Sequence, residues 1–98
     1  MRIYVDDERR APTGWQQVRR PQEAIEFLKI GAVRELSLGN DARGTGDEVL
    51  RWIQEAVSTC DFDPPVIVVH TVNPAARNRL TNGIRTIQLM TECCCGAD

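Results

Sequence analysis

A chain of 98 residues suits one domain and leaves little room for two. Its net charge of −2 excludes the basic field that long nucleic acid demands, and no run approaches the ~20 apolar residues of a membrane span. Hydrophobic residues at 42% and charged ones at 27% mark an ordinary globular domain with a thin stability margin, which pairing into a homodimer would widen.

Arg2 to Val5 is a short β-branched run that stops at Asp6-Asp7, as a buried strand entering a polar loop does. Glu8 to Gly14 holds Pro12 and Gly14 and reads as loop, and Trp15 to Arg19 as a second short strand. Pro21 opens a helix to about Ile30, since proline at the first helical position loses no hydrogen bond. Ala24, Ile25, Phe27 and Leu28 face inward there, and Gly31 is the stop. Glu35 to Leu38 is the next strand, followed by a Gly-, Asn-, Asp- and Thr-rich loop from Gly39 to Gly46. A second helix spans about Asp47 to Thr59 on a stripe of Val49, Ile53, Ala56 and Val57.

Val66 to Val69 is four apolar residues without alternation, the pattern of a strand covered on both faces. Asn73-Pro74 then starts a third helix, an N-cap followed by proline, with Ala76, Leu80, Ile84 and Ile87 at helical spacing to about Met90. Residues 1–90 thus form a single domain and 91–98 a mobile tail. The order β-β-α-β-α-β-α predicts a small three-layer α/β domain, its parallel sheet joined by right-handed crossovers and covered on both faces.

The N-terminus shows no apolar signal region, and three of the four cysteines, Cys93 to Cys95, are consecutive in the expected tail. That spacing suits neither a secreted disulfide framework nor a zinc site, and a cytoplasmic protein is expected. Eleven of the twelve basic residues are arginine, whose fork suits phosphate and carboxylate oxygens; a GC-rich coding sequence gives the same bias.

In doubly wound folds, ligands bind outside the carboxyl ends of the strands. Asp6, Asp7 and Glu8 follow the first strand, Gly39, Asn40 and Asp41 the middle one, and His70, Thr71 and Asn73 the last. Asp6, Asp7 and Asp41 form a set suited to a hard divalent cation, Mg²⁺ or Mn²⁺. His70, the sole histidine, suits proton transfer near neutral pH or donation to a phosphate oxygen. Catalytic roles therefore fall on His70 and Asp41. The free N–H groups at Asn73-Pro74 and at Thr45-Gly46 offer anion cradles. Arg9, Arg10, Arg43 and Arg77 are near enough in sequence to add charge. With Asn40, Thr45, Thr71 and Asn73, the arginines Arg9, Arg43 and Arg77 complete the expected ligand-binding set.

At these residues the chain resembles the cyclic-phosphate-processing receiver domains, a compact offshoot of the response-regulator receiver fold. The likeness rests on V-D-D-E-R (Val5–Arg9), P-T-G-W (Pro12–Trp15), L-S-L-G-N-D (Leu36–Asp41), G-T-G-D-E-V-L (Gly44–Leu50) and H-T-V-N-P (His70–Pro74). It implies a receiver-like (flavodoxin-like) domain with a short, mainly parallel sheet, an acidic metal pair at Asp6 and Asp7, and the receiver hydroxyl at Thr71. It also implies work on cyclic phosphates of nucleotides or RNA ends. The family usually carries Asp-His-Asp-Leu after the middle strand, where this chain has Gly39-Asn40-Asp41-Ala42, so one carboxylate and one histidine are missing. Lys29 lies far from the position of a phosphotransfer lysine, which argues against aspartyl-phosphate signalling.

Three readings follow. The first is a binding module for a cyclic nucleotide or cyclic phosphate that holds its ligand without turnover, as a phage or mobile-element protein would use to silence a host's nucleotide signalling. The second is a metal-assisted phosphodiesterase that opens the ring. The third is a receiver-like protein-interaction scaffold.

Overall fold

Seven elements follow one another in the computed structural model of the chain, which describes residues 1–6, 9–39, 45–71 and 73–96, the side chains of 45 and 93–96 excepted. They are β1 (Arg2–Val5), β2 (Gln16–Val18), α1 (Pro21–Lys29), β3 (Glu35–Leu38), α2 (Thr45–Val57), β4 (Val66–Val69) and α3 (Pro74–Gly96). The strands form one all-parallel sheet in the order β2-β1-β3-β4, which is the receiver-like α/β class expected from the sequence.

Strand alternation sends two sets of side chains to opposite faces. Ile3, Val5, Leu36 and Leu38 are fully buried and join Ala24 and Leu28 of α1, Ile53 and Val57 of α2, and Leu80 and Ile87 of α3 in one core. Both crossovers, β2 to β3 and β3 to β4, advance across the sheet in the same direction, so a common hand carries α1 and α2 to the same face. α2 lies between its neighbours and packs on both, most extensively on α3. The close approach is made at Gly83, where a Cβ would stand 2.9 Å from Leu50 Cδ1. Arg79 and Asp47 link the same two helices at the surface, with Arg79 Nε 2.8 and 3.0 Å from the two carboxylate oxygens.

The other face carries Tyr4, Ser37 and Val68 in register, with Arg2, Glu35 and Val66 one step toward the amino ends. Trp15 covers Tyr4 edge-on, ring centroids 6.3 Å apart, and the Arg2 guanidinium sits 5.8 Å above the Trp15 ring. Here the covering layer is the chain leading into β2. It does not extend to β4, where Val66 is 64% and Val68 46% exposed. The expectation that β4 is covered on both faces is therefore corrected: an apolar strand run records that β-branched residues suit a strand, and coverage depends on elements elsewhere in the chain.

Three helix limits also differ from expectation. α2 begins at Thr45 and ends at Val57, and α3 continues six residues past Met90 to Gly96, because Thr91 to Cys95 contain neither proline nor glycine. Cys60, in the left-handed conformation (φ 62°) just after α2, is disulfide-bonded.

Candidate functional site at the carboxyl edge of the sheet

The last residue of each strand leads to the same edge, and three of the connections meet there. Asp6 continues β1, Gly39 continues β3 and His70 continues β4, each still tied to the sheet: Asp6 N–H donates to Val18 O (3.1 Å), Gly39 N–H to Val5 O (2.8 Å) and His70 N–H to Leu38 O (3.0 Å). These ladder bonds bring Asp6 and His70, 64 positions apart in sequence, to 2.9 Å between Oδ2 and Nε2. The side chains are 4% and 16% exposed.

The imidazole is held on three sides. Its Nδ1 lies 2.6 Å from Ser37 Oγ, its Nε2 faces Asp6, and its plane stacks on Tyr4 at 4.0 Å with only 10° between the rings. A carboxylate oxygen only accepts, so Nε2–H donates to Asp6, and the Ser37 hydroxyl donates to Nδ1 in the neutral ring. Burial pushes the His70 pKa below the ordinary imidazole value of 6.5; the hydrogen bond and charge of Asp6 oppose this, while Arg9 reinforces it. The native ring is therefore neutral at neutral pH.

This shift carries a sign. Below pH 6.5 the unfolded chain protonates its histidine while the native ring resists, so the unfolded state binds more protons. Stability is expected to fall as pH drops below 6.5 and to stop falling from this cause once the native ring is also charged. Denaturation midpoints against pH check it: His70→Gln should flatten the slope in that interval, and an unchanged slope would rule His70 out as its source.

Asp6 is fixed at its other oxygen as well, where Oδ1 accepts the Arg9 N–H at 2.9 Å. Gln17 clamps the two ends of the same connection: its Nε2 donates to Asp6 O at 2.5 Å and its Oε1 accepts the Ala11 N–H at 2.6 Å. Gly39 is buried between the paired groups, and a Cβ there would land on His70 Nε2 and 2.5 Å from Asp6 Oδ2. The carboxylate that the resemblance leads one to expect at position 39 thus has no room while His70 and Asp6 are in contact.

Thr71 is buried, and its Oγ1 accepts the Asn73 N–H at 3.2 Å. Asn73 caps α3, its Oδ1 accepting from Ala75 N–H (3.0 Å) and Ala76 N–H (3.2 Å). Arg77 is exposed one turn into α3, in the groove beside β4. Asp7, Asn40, Asp41 and Arg43 lie outside the described residues, as does the Thr45 side chain. Ser37, Tyr4 and Gln17 were missed from sequence. The available signal was Ser37 itself, a polar residue between two leucines of a buried strand, which requires a partner.

Of the acidic set expected to hold a divalent cation, Asp6 is the described member, and among the described residues no group of three His, Cys, Asp or Glu side chains gathers at one place. Both Asp6 oxygens already accept an N–H, so the described residues do not by themselves make a cation site.

Among the described residues no helix is long and apolar enough to cross a membrane. No curated protein and no solved structure matches the chain. The model of one family does, over residues 1–86, and the chain belongs to the cyclic-phosphate processing receiver domain family.

Proposed function

We propose that this domain binds a cyclic nucleotide or another cyclic phosphate at the carboxyl edge of its sheet and holds it without turnover. The observation that carries this reading is the state of His70. A general acid or base must present a nitrogen to the substrate, whereas here one nitrogen is engaged by Ser37, the other by Asp6, and burial disfavours the charged ring. Family membership supports the ligand class. The carboxyl edge supports the location, as does the N-terminus of the 23-residue α3, whose dipole favours an anion. A divalent cation drawn to Asp6 together with Asp7 and Asp41 would supply positive charge for phosphate oxygens.

The test incubates the protein with cyclic mono- and dinucleotides and 2′,3′-cyclic phosphates, with and without Mg²⁺ or Mn²⁺. Free ligand is then measured by chromatography before and after heat denaturation. The expected result is a ligand that disappears and returns intact on heating, with retention lost in Asp6→Ala. Conversion to a ring-opened product would overturn the holding role and make the domain a phosphodiesterase. Failure to retain any member of the panel would leave the scaffold reading.

A further inference from the structure

Cys60 is disulfide-bonded, and the other cysteines of the chain are Cys93, Cys94 and Cys95. Within one chain its partner therefore belongs to that run, in the last turn of α3. The helix packing agrees. Asp47 of α2 meets Arg79 of α3, 32 positions on, and Leu50 meets Gly83, 33 positions on, so the two helices run side by side in one direction. The same offset sets Cys60 level with residues 92 and 93 of α3. Thr91 and Glu92 also line one groove with Pro64 and Pro65, which brings the end of α3 to the connection between α2 and β4.

Two features make such a bond exchangeable. Cys60 is exposed, and an exposed disulfide is open to attack by small thiols. Whichever member of the run is bonded, two cysteines remain beside it in sequence, and each thiolate is a further nucleophile for the bond.

We propose that Cys60 and the cysteine run of α3 form a reversible latch, worked by exchange with a small thiol–disulfide couple such as glutathione. On closing, a thiolate of the run attacks glutathione disulfide, whose S–S bond breaks to release one glutathione. The Cys60 thiolate then attacks the protein sulfur of that mixed disulfide and expels the second glutathione. Two protein thiols lose two electrons and two protons, and one glutathione disulfide becomes two glutathione thiols. Opening is the reverse. The ring closed from position 60 to 93–95 contains β4, His70 and α3 up to its last turn. Among the described residues β3 is the one strand paired with β4, so the latch is a second restraint on the strand that carries His70. It does not depend on the ligand.

The whole chain is equilibrated in glutathione buffers from fully reduced to fully oxidised and quenched in acid; free thiols are then alkylated and counted by mass. The expected product is a monomer with four free thiols when reduced and two when oxidised. The tryptic peptide with Cys60 (Trp52–Arg77) should then be joined to the one with Cys93 to Cys95 (Thr86–Asp98). Closing a ring of this length should raise the melting temperature by roughly 10–25 °C. Cys60→Ser should melt like the reduced wild type at every buffer ratio. Four free thiols in oxidised buffer would overturn the latch. So would a bond that survives excess reduced glutathione in the folded protein, a crosslink between two chains, or a Cys60→Ser variant whose melting still follows the buffer.

Discussion

Asp6→Ala is expected to lower stability by about 3 kcal/mol, the cost of stranding donors that faced a buried carboxylate. Two donors are stranded together: the His70 Nε2–H and the Arg9 N–H each give a 2.9 Å hydrogen bond to a different oxygen of a side chain only 4% exposed. For a domain of this size that corresponds to a fall in melting temperature of roughly 12–24 °C. Asp6→Asn keeps the shape and one acceptor, so its loss should be smaller; calorimetry on both variants separates lost hydrogen bonds from lost packing. An alanine variant that melts with the wild type would mean that the pair with His70 is not formed in solution.

Gly39→Ala is expected to cost about 2 kcal/mol, in the range for overfilling a packed site, with the melting temperature down roughly 8–16 °C. One methyl group suffices because it would occupy the gap through which His70 reaches Asp6. Relief cannot come from the imidazole swinging freely, since Ser37 and Tyr4 hold it from two other directions. His70 is the only histidine, so its ring resonances report on the contact without ambiguity. The expected spectrum in Gly39→Ala is that of an imidazole parted from its carboxylate, and wild-type ring shifts would sink the idea. Asp6→Ala and Gly39→Ala act on one contact, so their costs should be markedly non-additive.

Much of this arrangement is legible in the sequence because it follows from local rules. β1, β3 and β4 are found where β-branched and leucine runs end in polar residues, and α1 starts at its proline and stops at Gly31, where φ is +71°. Asn73 does what an Asn-Pro step predicts and caps α3. Asp6 and His70 were legible by position, since residues just past parallel strands gather at one edge. What they do to each other was not: the deletion of a side chain at position 39 looks like a lost acid in sequence, and in space it is the passage for an imidazole. Tyr4 and Ser37 read as strand filling because their roles depend on the register of β1, β3 and β4. The exposure of Val66 and Val68 is hidden for a similar reason, as nothing in four apolar residues states what lies above them.

The placement of β1 has a consequence for the order of events during synthesis. The first strand made is an interior one, and its partner β3 arrives about thirty residues later; β4, carrying His70, comes later still. Until that final strand docks, Asp6 has no imidazole to accept from, and the pocket edge exists only in part. A chain stalled or cut before residue 66 can hold three strands, yet not the contact between Asp6 and His70. Assembly of the edge therefore doubles as a checkpoint: only a finished sheet closes Asp6 on His70.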